Sequence, residues 1–207
     1  MNYLFIDTSS SNVIVAIVKD TNIVSCFNKK VDLDLSVNII PIITRIFDES
    51  KMVANDIDTI FVVNGPGSFT GIRIGVTIAK TYAWALKKKI TPISSLEVMA
   101  TTTFEGEYII PMIDARRAYV YAGIYDSKLI SKNMDDYISL EELIQKVPKN
   151  SVYVSYDDIN IDHIKPNIDI IRLIQKHIND EEVNPHSLNP NYLKMTEAEE
   201  NLCKEKV

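Results

Sequence analysis

The chain is poor in the residues from which many active sites are built. Its 207 residues include only three histidines, two cysteines, six glycines and one tryptophan. His163, His177 and His186 lie far apart, and no His-x-x-x-His or His-Glu-x-x-His pair exists to hold a metal. All three are expected at the surface. Cys26 and Cys203 form no metal-type or redox-type pair and read as reduced thiols of a cytoplasmic protein. Neither has a neighbouring histidine, and no Gly-x-Ser-x-Gly elbow exists. An excess of basic charge is also missing. Lys plus Arg number 22 against 28 acidic residues, a net charge of −6, which argues against a chain that grips a nucleic-acid backbone alone. An acidic chain can still serve a nucleic-acid pathway if a partner supplies the basic surface. Long apolar runs are absent too. Ile39–Ile43, broken by Pro41, is far too short to span a bilayer, and Asp7 interrupts the first apolar run before it reaches signal-peptide length. No membrane association is expected.

Four of the six glycines fall within eleven residues, Gly65-Pro66-Gly67-Ser68-Phe69-Thr70-Gly71-Ile72-Arg73-Ile74-Gly75. A buried-strand run, Ile60–Val63, precedes them, and a stretch without Gly or Pro, Val76 to Lys89, reads as the helix that follows. Glycine is costly to order, so the cluster marks a sharp turn or a close approach. A strand–glycine loop–helix unit suits an anion in general. The spacing nevertheless lacks the Lys-Ser/Thr of a P-loop and is one residue too long for a dinucleotide loop.

Strands are expected at Tyr3–Ile6, ending at Asp7, at Val13–Val18 and around Ile23–Phe27. Ser36 is read as the N-cap of a helix to about Lys51, kinked by Pro41, and a fourth strand covers Thr59–Val63. The order then recurs. Tyr108–Ile113 ends at Asp114, and Val13 and Val120 each lie six positions after their aspartate. A turn at Asp126-Ser127 leads to Lys128–Ser131, a helix near Ser139–Lys146 and a strand near Val152–Ser155. The duplicated meander-plus-α/β unit resembles the actin-like (ASKHA) and sugar-kinase superfamily. The expected fold is therefore α/β, with two ribonuclease-H-like lobes, each a mixed sheet with flanking helices. The lobes span residues 1–104 and 105–207, the second with a less regular tail beyond Asn160.

Gly71, Gly75, Ala79 and Ala83 recur every four residues, forming a ridge of small side chains about 18 Å long. With Ile72, Ile74, Val76, Ile78, Tyr82 and Leu86 the helix is apolar nearly all round, so several of its sides need cover. Its own sheet supplies one; the ridge would let a helix or another chain approach a second. The Ser36–Lys51 helix is similarly over-supplied with apolar residues. Either the two helices cover each other, or Val37, Ile40, Thr44 and Phe47 on the first join Ile74, Ile78 and Tyr82 on the second as a partner face.

Asp7 and Asp114 occupy equivalent strand ends, as carboxylates do in two-metal nucleases and actin-like ATPases; each also fits a plain turn residue. The turn Thr8-Ser9-Ser10-Ser11 offers hydroxyls but no glycine. Arg116 and Arg117 could bind an anion or pair with Asp114. A free-standing ATPase or kinase would use Asp7, the Gly65–Gly71 loop and Arg116, but such enzymes usually carry a further glycine-rich loop, and beyond residue 75 only Gly106 and Gly123 occur. A ribonuclease-H-like nuclease would need further carboxylates converging on Asp7.

The eleven-residue string, with Gly65, Gly67, Ser68, Thr70, Gly71, Arg73 and Gly75, resembles the signature of the TsaB (YeaZ) family. Ile6-Asp7-Thr8-Ser9 is similar to that family's opening motif. Asp114-Ala115-Arg116-Arg117 with Val120-Tyr121 is similar to its mid-chain motif, and Pro190-Asn191-Tyr192-Leu193-Lys194 with Glu197-Ala198-Glu199 to its C-terminal one. Leu35-Ser36 stands where the family usually has His-Ser, and Tyr119 where it usually has Glu. The resemblance implies a non-catalytic subunit, without cofactor or metal of its own. Its complex makes N6-threonylcarbamoyladenosine at position 37 of tRNAs reading codons that begin with A. It further implies pairing with a TsaD-like paralogue that carries the chemistry, a TsaE-like ATPase docked on the pair, a homodimer when alone, and tRNA met only through the complex.

Overall fold

The computed structural model describes residues 1–31 and 34–194. Cys203 and Glu197-Ala198-Glu199 lie outside the described residues. The first sheet contains β1 (Asn2–Asp7), β2 (Asn12–Lys19), β3 (Asn22–Lys30), β4 (Thr59–Gly65) and β5 (Lys89–Ser94), in the order β3-β2-β1-β4-β5. β1, β2 and β3 form an antiparallel meander, while β4 and β5 run parallel to β1 and to each other respectively. The second sheet repeats the plan with β6 (Tyr108–Asp114), β7 (Tyr119–Asp126), β8 (Ser131–Ser139) and β9 (Ser151–Val154), in the order β8-β7-β6-β9. β9 is parallel to β6, and one parallel bridge, Val154 with Ile164, stands in the place of a fifth strand. The architecture is the actin-like, ribonuclease-H-like α/β fold.

Helix α1 (Leu35–Ser50) packs over β2 and β3, and α2 (Phe69–Leu86) over β4, β1 and β5. Both bury apolar residues in one core with Leu4, Ile6, Val15, Ile60 and Val62. Burial there is complete on the sheet side, each such side chain being worth roughly 1.5–3 kcal/mol. The cap of α1 is Asp34 rather than Ser36: its carboxylate accepts from the Ser36 N–H at 3.0 Å. A carboxylate two residues upstream satisfies an orphan first-turn donor and complements the helix dipole, which a hydroxyl inside the turn cannot do. Pro41 lies within α1 and supplies no N–H to the ladder, yet the helix continues to the left-handed cap at Lys51.

Helix α2 begins seven residues earlier than Val76, because Ser68 caps it by accepting from the Gly71 N–H at 3.2 Å. Gly71 and Gly75 are therefore helical. It ends at Leu86, where Lys87 adopts the left-handed conformation, so Lys89 opens β5 instead of closing the helix.

Two elements escape sequence periodicity. Helix α3 (Ser95–Ala100) is buried along its whole length, which leaves no polar face to reveal a period. Leu96, Met99 and Ala100 pack with Ile109 and Tyr125 of the second sheet. Helix α5 (Ile170–His177) lies in the tail, and its Ile170, Leu173 and Ile174 cover Tyr3, Phe5, Ile14 and Phe61 on the other face of the first sheet. β8 runs well past Ser131, and α4 (Leu140–Lys146) is capped by Ser139. Among the described residues no helix is long and apolar enough to cross a membrane.

Candidate functional site

Three sequence motifs far apart in the chain meet at the start of α2. Ser68 donates its N–H to the Ser9 carbonyl at 2.7 Å, and Asn191 donates its N–H to the Asn64 carbonyl at 2.7 Å. The buried Thr8 hydroxyl donates to the Gly71 carbonyl at 2.7 Å. These approaches explain the glycines. A Cβ on Gly67, which has φ +148°, would lie 2.3 Å from the Ser9 carbonyl oxygen, and one on Gly71 would lie 2.0 Å from that of Thr8. No real Cβ tolerates either distance, so glycine is required by close backbone approach. Gly75 faces the Thr8 hydroxyl in the same way. The small-residue ridge thus lies against its own lobe, with Gly71, Gly75, Ala79 and Ala83 all buried there. Outside this closure Thr70 is exposed. Arg73 turns to the C-terminal motif, where its Nε–H donates to the Tyr192 hydroxyl at 2.7 Å and its guanidinium sits 3.7 Å over the Phe69 ring.

Beside this closure a cavity of about 480 Å³ opens between the sheets, and it gathers Asp7 and Ser9, Asp114 and Arg116 from the two equivalent strand ends and Gly67 and Ser68 from the glycine loop. Asp7 is 4% exposed. One of its oxygens accepts from the Ser9 N–H at 2.8 Å and the Ser9 hydroxyl at 2.7 Å. Burial raises its pKa despite those two bonds, which favour the carboxylate. Tyr156 on the opposite wall is pushed up to about 12, first by burial and then by the Asp7 charge. Asp114 is exposed: its N–H donates to the Asp157 carboxylate at 2.8 Å, and its own carboxylate accepts from the Arg116 N–H at 2.9 Å. Arg116, Arg117 and Ala118 follow in three successive left-handed conformations, φ +66°, +54° and +61°. Such a run is strained for L-residues and is held by the Tyr119 N–H on the Arg116 carbonyl. Around the cavity, Asp7, Asp114 and Asp157 face Arg116. That lining offers carboxylate acceptors to hydrogen-bond donors and hydroxylated groups, and one guanidinium to an anion.

The candidate partner face has a graded exposure. On α1, Val37 is 68% and Ile40 54% exposed; Thr44 is exposed and its hydroxyl returns to the Ile40 carbonyl at 3.0 Å. Phe47, Ile74, Ile78 and Tyr82 are half-buried against the first core. Phe47 stacks on Tyr82 at 6.3 Å, and the Tyr82 hydroxyl donates to the Ala54 carbonyl. The two helices therefore touch at one end and leave the outer side of α1 bare.

His177 is not a surface residue: its ring is 13% exposed, with Nε2 2.9 Å from Glu97 and Nδ1 2.6 Å from Asp180. Lys176 also donates to Glu97. Burial opposes the protonated imidazole, but the two carboxylates outweigh it and raise the His177 pKa. Glu97, pushed up by burial, is pulled below its usual range by His177 and Lys176. The only sequence hint was Glu97 three residues after Ser94, inside a segment otherwise apolar. Among the described residues no cluster of His, Cys, Asp or Glu suits a metal ion.

Comparison with known proteins agrees with this architecture. The family described as "TsaD: tRNA N6-adenosine threonylcarbamoyltransferase" matches residues 29–168, well over half of the chain. The tRNA threonylcarbamoyladenosine biosynthesis protein TsaB of Bacillus subtilis is 38% identical over 130 residues, 62% of this chain and 56% of that protein. The TsaB of Haemophilus influenzae is 32% identical over 111 residues, 52% of this chain and 47% of that one. The chain thus spans about half the length of the curated relatives it matches. YeaZ from Pseudomonas aeruginosa shares the fold with a TM-score of 0.79, at 20% identity, over 93% of this chain and 99% of the other. With the motifs of the opening, glycine and C-terminal segments interlocked as one structure and these matches across the chain, it belongs to the TsaB (YeaZ) family.

Proposed function

We propose that the chain is a non-catalytic subunit of the complex that places a threonylcarbamoyl group on N6 of adenosine 37 in tRNAs reading codons that begin with A. It pairs with a TsaD-like paralogue that carries the chemistry, and a TsaE-like ATPase docks on the pair in the cytoplasm. The observation that carries this reading is the bare outer side of α1, where Val37 and Ile40 stand exposed; on α2, Ile74 and Ile78 are half-buried. Exposed aliphatic side chains one turn apart on one helix are of the kind that partners cover. A two-fold contact between such faces would serve the chain alone as a homodimer, and a related lobe would substitute in the heterodimer. The non-catalytic assignment is supported by the histidines, each engaged elsewhere: His163 with the Ile161 carbonyl, His177 with Glu97 and His186 beside Trp84.

Sedimentation velocity tests the pairing. The wild type should be dimeric alone and should exchange into a heterodimer with the His-x-x-x-His paralogue of its organism. Val37→Asp with Ile40→Asp should leave a folded monomer, because an unpaired charge in an apolar contact costs several kcal/mol. A wild-type chain that stays monomeric at high concentration and ignores the paralogue would refute the scaffold reading. The convergence of Asp7, Gly67 and Arg116 on one cavity favours a second reading, an ATPase or kinase. Hydrolysis of ATP by the chain alone, abolished by Asp7→Ala, would establish that reading instead.

A further inference from the structure

The C-terminal end of α2 carries a feature that neither the partner face nor the cleft uses. Trp84, the chain's only tryptophan, is 62% exposed. It is followed within five residues by Lys87, Lys88 and Lys89. These residues and His186 line one basin of about 560 Å³, in which Glu182 is the one acidic lining residue. The basin is built rather than incidental. Its far wall, residues 183–188, is tied down by the Val183 N–H on the Ile90 carbonyl at 3.2 Å and by the Lys80 ammonium on the Leu188 carbonyl at 2.6 Å. The His186 ring lies 6.2 Å from the indole in a T-shaped arrangement, and 62% of Trp84 remains exposed. The Lys88 ammonium is held by the Asn55 carbonyl at 2.7 Å. Lys87 and Lys89 are exposed and make no salt bridge among the described residues.

A helix C-terminus attracts cations, and one lysine there would need no other explanation. Three in succession, with two ammoniums unpaired on a chain of net charge −6, exceed what the dipole of one helix neutralises. An exposed indole beside them adds a flat π-surface. Cations spaced along a chain with an aromatic platform between them match single-stranded or loop RNA, whose phosphates seat on ammoniums while a base stacks. We propose that the Trp84–Lys87–Lys89 basin is an RNA contact: one base stacks on Trp84 and the flanking phosphates meet Lys87 and Lys89. An acidic peptide would use the lysines but gains little from an open indole face. The choice of RNA rests on the tRNA-modification reading above. It also departs from the expectation that tRNA is met only through the partner.

The single tryptophan makes the test direct, since fluorescence of the full chain reports Trp84 alone. Titration with an unstructured oligouridylate should quench it. Affinity should fall roughly 5- to 20-fold between 50 and 200 mM salt, as expected for two or three phosphate contacts on a single strand. Lys87→Asn with Lys89→Gln, which keeps a residue tolerant of the left-handed cap, should weaken binding and flatten the salt dependence while leaving the melting curve unchanged. Polyglutamate should leave the emission unaltered. Absence of quenching by RNA at millimolar nucleotide, or equal quenching by polyglutamate, would overturn the proposal. Pairing with the paralogue, followed separately by sedimentation, distinguishes failure of this site from failure of the scaffold reading.

Discussion

The contact of Gly75 with Thr8 can be tested quantitatively. An added Cβ at Gly75 would lie 2.3 Å from the Thr8 hydroxyl oxygen, while the next atoms, Thr8 Cβ and Ile6 Cγ2, stand at 3.5 and 3.7 Å. One oxygen is therefore the whole obstacle. That oxygen cannot move freely, because Thr8 is fully buried and its hydroxyl is spent on the Gly71 carbonyl. Accommodating a methyl group breaks this bond inside the core, at about 1–3 kcal/mol for a buried hydroxyl without partner, and adds overpacking of about 1–3 kcal/mol. Alanine recovers about 1 kcal/mol of helix propensity. The expected net loss for Gly75→Ala is about 3 kcal/mol, or roughly 6–12 °C in melting temperature for a chain this size. Thr8→Ala alone should cost about 1 kcal/mol. In the double variant the obstacle is gone and only ordinary contacts remain, so it should be at least as stable as Thr8→Ala. Urea unfolding of all four proteins gives the coupling energy. Additive losses, or a Gly75→Ala protein that keeps its stability but loses its partner, would refute the placement of the ridge against its own lobe.

Two pH-dependent predictions follow from buried charge. Because burial raises the Asp7 pKa above its ordinary 3.8, ionising it opposes folding as pH rises from that value through its folded pKa. Asp7→Asn keeps the acceptor for Ser9, so its melting temperature relative to wild type should be higher at pH 7 than at about pH 3.5; an unchanged difference would contradict this. For His177 the sign is opposite. Its stabilising charge is complete below the ordinary 6.5 and is lost as pH rises through its raised folded pKa, while that of Glu97 is complete above 4.5 and is lost as pH falls through its lowered one. The loss on His177→Gln should therefore be largest between about pH 4.5 and 6.5 and should shrink above it, with calorimetry across that range as the check.

The recurring strand–Asp–turn–strand order was legible because meander strands carry their pattern locally: apolar runs ended by an aspartate and a polar turn. The glycine cluster was legible as a place where backbones meet. What it meets was not, since Thr8, Ser9 and Asn191 lie far off in sequence. Helix α3 hid because it is buried on every side, and α5 because eight residues hold barely two turns of periodicity. The apolar excess of α2 left two readings open, cover by its own lobe or by a partner. Its small residues are buried against its own lobe and Ile74 and Ile78 are half-buried against the first core, while Val37 and Ile40 of α1 are the more exposed. Exposure of Trp84 and the lysines had no periodic signal, because a single aromatic on a polar stripe looks the same whether covered or bare.

The two equivalent aspartates end in differently held turns, and this sets how the cleft behaves. After Asp7 the chain is locked: Ser9 bonds back to the carboxylate, its carbonyl takes the Ser68 N–H, and Thr8 is wedged under α2. After Asp114 the chain runs exposed through three left-handed residues held by a few backbone bonds. Strained, exposed turns sit at the low-stability end of a fold, whereas buried interlocked ones open only with the whole lobe. The cavity therefore has one buried, interlocked wall, built from the sequence's most specific motif, and one exposed wall. If the two walls had been alike, duplication alone would explain the repeated aspartate. Their difference ties the glycine string to the close packing of the first lobe, where Gly67 and Gly71 meet Ser9 and Thr8, and sets it apart from the exposed left-handed turn that follows Asp114.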